Sequence, residues 1–275
     1  MAELQVKSIR SLARGLEILQ HIQMSGALGL ADINRITGYP KASILRVLKT
    51  LMEEGVIWQR IVDGAYLASY SLHERASLMS REQELIEVAS PFLQTLTDKV
   101  RWPSVLAVPR LTHMEVVETN APKSYFPNIP LGPIGFEINM LRSASGRSYI
   151  AFCDSDKRNA ILDRLKLSQR AGDMIAQNQA RIEKMIDRTR AQGYSARDPD
   201  FGGHFDESRQ VVDDLRDSIA MPILIGPIIP AVVNVTWSVR AMNREKAVEF
   251  CLPALGEAVR NIATALQKER LDFTW

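Results

Sequence analysis

Residues 30–52 read LADINRITGYPKASILRVLKTLM and contain two apolar-periodic segments separated by a glycine and a proline. The first segment ends at Gly38, and glycine readily adopts the left-handed conformation that a helix end requires. Pro40 then fixes φ for the first turn of the second segment, whose apolar residues recur at helical spacing. Two helices joined by such a short, glycine-containing turn are typical of a helix-turn-helix.

The second helix of this pair has one apolar side and one polar side. The apolar stripe, which we expect to pack against the preceding helix, consists of Ile44, Val47, Leu48 and Leu51. The opposite side carries Ser43, Arg46, Lys49 and Thr50. Side chains of these types donate hydrogen bonds to phosphate oxygens and to base edges. The stretch is therefore the candidate DNA-reading element.

An amphipathic segment and a hairpin flank the pair. Before it, residues 8–23 place apolar side chains at helical spacing, namely Ile9, Leu12, Leu16, Leu19 and Ile22. The cations of the first turns, Lys7, Arg10 and Arg14, are either a solvated face or phosphate contacts. After it, Asp63-Gly64 lies between two β-prone runs at residues 56–60 and 65–67, which is a strong hairpin signal. Three helices followed by a hairpin predict a winged helix-turn-helix.

Residues 81–100 form another amphipathic helix, despite Pro91. Such a helix either packs against its own copy in a dimer or is the first core helix of a second domain, and the sequence favours neither. Residues 71–80 are predicted to be a connector. The sequence thus divides into a winged helix-turn-helix domain at residues 1–70, a linker helix region at 71–100 and a second domain at 101–275.

The second domain alternates strand-like and helical segments. We expect strands at residues 104–108, 115–119, 218–225 and 231–239, and helices at residues 143–153, 157–165, 174–192 and 243–267. The Gly226-Pro227 region joins the last two strands. This order predicts an α/β domain with a mainly antiparallel sheet, and the whole chain is therefore of the α+β class.

Composition excludes several classes of protein. A net charge of +2 does not indicate a nucleic-acid partner, so such a partner is argued from local arrangement. The two cysteines lie among apolar residues, and the sequence has no metal-ligand spacing, P-loop or nucleophile elbow. We therefore predict no catalytic residue, no metal and no cofactor. Without a signal peptide or an apolar run near ~20 residues, we expect a soluble, cytoplasmic protein with no membrane partner.

The same stretches resemble the IclR family of bacterial transcriptional regulators. The match covers residues 6–19, 37–48 and 63–66 near the N-terminus, and residues 143–149, 219–223 and the final helix beyond it. The resemblance implies a GAF-like effector-binding second domain, and homodimers or homotetramers that bind double-stranded, near-palindromic operators. Residues 6–12 and 232–237 look closest to the branch that regulates the breakdown of phenylpropionate and related aromatic acids.

The resemblance also assigns residues to two sites. For DNA binding, the positions taken from the residues and the resemblance together are Arg10, Arg14, Lys41, Ser43, Arg46, Lys49, Thr50 and Arg60. For effector binding, it implies Ser143, Ala144, Ser145, Gly146, Ser218, Asn234 and Thr236. Many family members have cysteine in place of Ser218 and serines in place of Asn234 and Thr236.

Two physical arguments support this effector site. The backbone N–H groups at a helix start beginning at Ser143 suit a carboxylate, to which Arg142 or Arg147 adds charge; the alternative is simply a capped, well-packed helix. Asn234 and Thr236 share one sheet face, and polar groups inside an apolar sheet need partners. Those partners are a polar ligand, internal hydrogen bonds or water.

The predicted function is regulation of a catabolic operon by a small organic, aromatic acid. A winged-helix protein–protein adaptor is an alternative, although an adaptor face should expose more apolar area than this polar helix does. An enzyme acting on a small acid is the other alternative. The four histidines are scattered, and only His204, in a glycine-rich loop, is suggestive.

Overall fold

The computed structural model describes residues 9–69, 81–121, 131–203 and 208–268. The chain forms two compact units, Met1–Ser80 and Arg81–Trp275. The predicted connector at residues 71–80, the suggestive His204 and Lys7 all lie outside the described residues.

The first unit contains three helices and a two-stranded antiparallel hairpin, as expected from the glycine and proline positions. The elements are α1 (Arg10–Ser25), α2 (Leu30–Thr37), α3 (Lys41–Glu53), β1 (Ile57–Gln59) and β2 (Tyr66–Ala68). Gly38 ends α2 in the left-handed conformation, with φ 68°, and Gly64 adopts φ 70° in the hairpin turn. The N-terminal winged helix-turn-helix is therefore confirmed.

The core of the first unit is formed by buried side chains from all of these elements, namely Ile18, Ile22, Leu28, Ile33, Ile44, Leu48, Ile57 and Tyr66. The apolar stripe of α3 contributes Ile44 and Leu48 to it, with Val47 and Leu51 at the margin. The expectation for α1 was only partly right. Ile22 is buried, but Leu12 and Leu16 are 58 % and 54 % exposed, because α1 turns its other apolar side, including Ile18, towards the core.

The second unit contains five α-helices and six strands within the described residues. The helices are α4 (Arg81–Val100), α5 (Ala144–Phe152), α6 (Ser155–Lys166), α7 (Gln179–Gln192) and α8 (Arg244–Lys268). The strands are β3 (Ser104–Pro109), β4 (His113–Thr119), β5 (Glu137–Asn139), β6 (Ser195–Ala196), β7 (Arg216–Pro222) and β8 (Val232–Ser238). The sheet order is β5-β4-β3-β8-β7-β6, and every pairing is antiparallel, which confirms the predicted fold class.

Two apolar layers cover the faces of this sheet. One layer packs α4 and α8 against Val233, Val235 and Trp237. The other packs α5, α6 and α7 against Val105, Ala220 and Val232. Side chains at alternating strand positions thus enter opposite layers. No helix in the described ranges is long and apolar enough to cross a membrane.

The helix at Arg81–Val100 is a core helix of the second unit. Its apolar side, including Leu85, Leu93 and Leu96, is at most 1 % exposed and lies in the layer shared with α8. Pro91 lies inside the helix without ending it. Of the two interpretations of this helix, the structure thus favours the first core helix of the second domain over packing against a second copy, because the packed side is not available to one.

Three local features of the second unit differ from expectation. The strands β5 and β6, with three and two residues, were not predicted. The helix expected at residues 174–192 is divided into a 3-10 helix, Ala171–Gln177, and α7. The division occurs at Asn178, whose side chain accepts a hydrogen bond from the Arg181 backbone N–H and so starts a new helix.

Candidate DNA interface and ligand pocket

The polar side of α3 presents exposed cations. Lys41, Arg46 and Lys49 are all exposed. Within the described ranges Arg46 makes no ion pair, whereas Lys49 Nζ lies 3.6 Å from Glu53 Oε1 in an exposed pair of little energetic weight. The Thr50 hydroxyl donates to the Arg46 carbonyl at 3.1 Å, and its oxygen remains able to accept. Arg46 and Lys41, which also makes no ion pair among the described residues, are thus the cations of α3 that are free to contact an anion.

A groove of 510 Å³ between α1 and α3 brings four of the predicted DNA-binding residues together, namely Arg14, Ser43, Arg46 and Thr50. Ser43 is half-buried there rather than fully outward. The Arg14 guanidinium lies 5.0 Å from the centre of the Tyr39 ring, whose hydroxyl donates to Glu17. Arg14 is therefore engaged within the unit, while the exposed Arg10 and Lys41 lie outside the groove.

Arg60 is held within the hairpin. Its Nε donates to Asp63 Oδ1 at 2.9 Å, and its terminal nitrogen also donates to Asp63. This hydrogen-bonded pair raises the pKa of Arg60, and it lowers the pKa of the Asp63 carboxyl to about 2. Arg60 thus stabilises the turn, and contact with phosphate requires it to share its charge with Asp63.

The second unit contains a pocket of 270 Å³ on the sheet face that carries α5, α6 and α7. Four of the seven predicted effector residues line it: Ser143, Ser218, Asn234 and Thr236. The alternation expected for β8 therefore places Asn234 and Thr236 together on the pocket side. Ala144, Ser145 and Gly146 do not line the pocket. All three are buried, and Ala144 and Ser145 are at most 1 % exposed.

The start of α5 is a capped and tightly packed helix. Ser143 Oγ accepts from the Gly146 backbone N–H at 3.0 Å, which satisfies one of the donors we expected to be available for a carboxylate. A Cβ at Gly146 would lie 2.2 Å from the Met140 carbonyl oxygen. Glycine is therefore needed here for close backbone packing, and the alternative interpretation of this helix start describes it better.

One side-chain atom of Asn234 has no hydrogen-bond partner among the described residues. Its Nδ2 donates to Ser145 Oγ at 3.1 Å, but its Oδ1 has no partner among the described residues, although the side chain is only 8 % exposed. A buried acceptor without a partner costs free energy, so a donor from a bound molecule would stabilise it. Ser145 does not line the pocket, but it orients Asn234, which does.

Two arginines that sequence reasoning missed also line the pocket. Arg197 and Arg216 contact the same carboxylate, Asp214 Oδ2, at 2.8 and 3.2 Å. Burial lowers the pKa of Arg197, and the hydrogen bond to Asp214 opposes that effect. The Phe201 ring lies 4.7 Å from the Arg197 guanidinium. The two arginines come close together because residues 195–196 pair with β7. No local sequence pattern therefore predicts that both line one pocket.

The arginines that we expected to add charge lie elsewhere. Arg142 is 5 % exposed and contacts Asp200 at 3.3 Å, and Arg147 contacts Asp198 at 3.3 Å. Neither lines the pocket. Both instead hold the loop after β6, whose Arg197 and Phe201 form the pocket wall.

Family models match both units. The model of the IclR helix-turn-helix domain matches residues 11–60, and that of the bacterial transcriptional regulator IclR C-terminal domain matches residues 78–266, which is more than half of the chain. The chain belongs to the IclR family. It is therefore a transcriptional regulator of a DNA-binding family.

Two curated relatives match this chain over most of their length. The chain is 22% identical to the transcriptional repressor IclR of Escherichia coli over 222 residues, covering 80% of this chain and 81% of that protein. It is 25% identical to the regulator XynR of Escherichia coli over 188 residues, covering 68% and 73%. These relatives are regulators and not enzymes, in agreement with the prediction that the chain has no catalytic function.

A solved IclR homolog from Microbacterium hydrocarbonoxydans, crystallised with 4-hydroxybenzoate, has the same fold. It superposes with a TM-score of 0.53 at 22% identity, over 94% of this chain and 99% of that chain. At this identity the likeness concerns the fold alone.

Proposed function

We propose that this IclR-family regulator controls a catabolic operon in response to a small aromatic acid bound in the second unit. The operator is a near-palindromic duplex. The protein acts in the cytoplasm, where bacterial DNA lies. Contacts to the operator are assigned to Arg10, Arg14, Lys41, Ser43, Arg46, Lys49, Thr50 and Arg60, with Arg46 at their centre. Acid binding shifts the population of conformations that engage the operator.

The observation that carries the choice of ligand is the buried Oδ1 of Asn234, which has no partner among the described residues and lies in a pocket lined by arginines. A carboxylate suits guanidinium groups, and a hydroxyl on the same molecule donates to Asn234 Oδ1. Phe136 and Phe201 line the same pocket and offer apolar contact to an aromatic ring. A hydroxylated aromatic acid of the kind bound by the Microbacterium homolog has all three features.

The proposed homodimer or homotetramer is supported by an exposed apolar strip formed by the residue before α1 and the first turns of α1. Ile9, Leu12 and Leu16 are 66 %, 58 % and 54 % exposed. A row of large apolar side chains on one helix suits an interface more than open solvent. A second copy on this strip would set the spacing of the two α3 helices along the operator.

Thr236→Val is expected to reduce stabilisation by an aromatic acid while leaving the unliganded protein nearly unchanged. The Thr236 hydroxyl has no hydrogen-bond partner among the described residues, and valine has almost the same shape. For the unaltered protein, a ligand at one hundred times its Kd adds about 2.7 kcal/mol of stability. Thermal unfolding with 4-hydroxybenzoate and a panel of aromatic and aliphatic acids measures this effect.

The matched control is Thr95→Val on the exposed side of α4, where the hydroxyl donates to the Pro91 carbonyl and to no other described residue. It should retain the full ligand-induced rise in melting temperature. If no acid in the panel raises the melting temperature, or if both valine variants respond as the unaltered protein does, the assignment of this pocket is wrong. A duplex-binding assay with the responding acid then tests whether occupancy changes operator affinity.

A further inference from the structure

The second unit has a second, larger groove of 900 Å³. Buried apolar side chains form its floor, including Leu85, Val108, Ile161 and Ile229, each at most 6 % exposed. Glu137 is the one lining residue that it shares with the 270 Å³ pocket. A mostly apolar concavity of this volume with a few polar groups has the properties of a small-molecule site.

One of those polar groups is the hydroxyl of Tyr149, which lines the groove. The Tyr149 side chain is 5 % exposed, and its hydroxyl has no hydrogen-bond partner among the described residues. Burial raises the pKa of Tyr149 to about 12, so the hydroxyl keeps its proton at neutral pH and remains a donor. The hydroxyl is therefore able to donate to an acceptor on a molecule bound in the groove.

The wall formed by α6 is basic. Lys157, Ala160, Ile161 and Arg164 recur at helical spacing and all line the groove. Neither Lys157 nor Arg164 makes an ion pair within the described part of the chain. Two cations thus stand on either side of an apolar patch, which matches an anion with an apolar body.

The acidic groups on the opposite wall already have cationic partners. Arg110 contacts Glu82 at 2.9 Å and Glu115 at 3.0 Å. Glu137 lies 3.5 Å from Arg170 and 3.9 Å from His113. Arg110 supplies one positive charge for two carboxylates, so one negative charge is left on this wall. The two cations of α6 outweigh it, and the balance of the groove is therefore positive.

We propose that this groove binds an amphiphilic carboxylic acid whose apolar body is larger than the first pocket admits. The carboxylate lies between Lys157 and Arg164 and accepts from the Tyr149 hydroxyl, while the apolar body covers Leu85, Val108 and Ile229. Leu85 and Glu82 belong to the first turns of α4, so the ligand contacts the beginning of the helix that opens the second unit. The inference is independent of the proposed function.

Fluorescence titration of the full chain with dansylaminoundecanoic acid, an acyl carboxylate that brightens in apolar surroundings, tests the site. We expect saturable binding that decanoate displaces and that decanol, which has the same chain without the charge, does not. The double variant K157Q/R164Q should weaken probe binding about tenfold or more, because charge-assisted hydrogen bonds are lost. Tyr149→Phe should weaken it several-fold, and Ala160→Trp, at an exposed lining position, should block it.

Controls separate this groove from the others. Lys184→Gln, on the exposed face of α7, should leave probe binding unchanged. The proposal is overturned if decanol displaces the probe as well as decanoate does, since that result indicates apolar adsorption alone. It is also overturned if K157Q/R164Q and Ala160→Trp bind normally, or if Arg46→Ala or Thr236→Val abolishes binding, since those results place the probe in one of the other two cavities.

Discussion

Arg46→Ala is expected to weaken binding to an operator duplex about tenfold or more, because a good bidentate base contact is worth ~1–3 kcal/mol. Arg46 is exposed on α3 and makes no ion pair among the described residues, so its truncation removes a contact to DNA and little else. Ile44 and Leu48, which anchor α3 in the core, are untouched. The thermal unfolding midpoint should therefore not change.

Salt dependence reveals what Arg46 contacts. If it neutralises a phosphate, the slope of log affinity against log salt should fall by about 1 in the variant. If it contacts a base edge, affinity for the selected operator falls more than affinity for random duplex. Mobility-shift titrations at several salt concentrations, on a duplex selected from random sequence, measure both quantities.

Arg35→Ala is the matched control for this prediction. Arg35 is also an exposed arginine of the helix-turn-helix, but it lies on α2 and contacts Asp32 at 2.6 Å. Its removal takes the same charge from the unit without touching α3. Equal losses of affinity in the two variants would mean that Arg46 contributes only to the general field of the unit and does not read the operator.

Local signals were sufficient for most of the fold. Gly38 and Gly64 adopt the positive φ that a helix end and a hairpin turn require, so the helix-turn-helix and the wing follow from short stretches of sequence. The alternation of Asn234 and Thr236 with Val233 and Val235 likewise placed the polar pair on the pocket side. These features depend on neighbours within a few residues.

Features that depend on distant neighbours were not predictable. On α1, the set with Leu12 and Leu16 and the set with Ile18 and Ile22 both have helical spacing, and only packing against the other helices decides between them. Arg197 and Arg216 meet at Asp214 through pairing across the sheet. The two shortest strands carry too few residues for any periodicity to be visible.

Gly146→Ala is expected to destabilise the second unit by about 2–3 kcal/mol, the upper range for overpacking a close contact. The new Cβ would lie 2.2 Å from the Met140 carbonyl oxygen and 2.6 Å from the carbonyl carbon. Both atoms belong to the backbone, so no side-chain rotation relieves the clash. Alanine's better helix propensity, ~1 kcal/mol over glycine, offsets only part of this cost.

Gly256→Ala in α8 is the matched control, because it also adds one methyl group to a buried helical glycine. There the nearest atom is the end of the flexible Arg260 side chain at 3.2 Å, which can move aside. Urea unfolding should show a lower midpoint for Gly146→Ala and an unchanged or higher one for Gly256→Ala.

Acid binding by the Gly146→Ala variant also shows why glycine is needed at the start of α5. If Gly146 serves only close packing, the alanine variant, kept well below its lowered midpoint, should still bind acid, since Gly146 does not line the pocket. If it loses acid binding while its urea midpoint matches that of the unaltered protein, then Gly146 belongs to the ligand site after all. The packing role thus predicts a lowered urea midpoint with acid binding retained. A role in the ligand site, which the family resemblance implies, predicts an unchanged urea midpoint with acid binding lost.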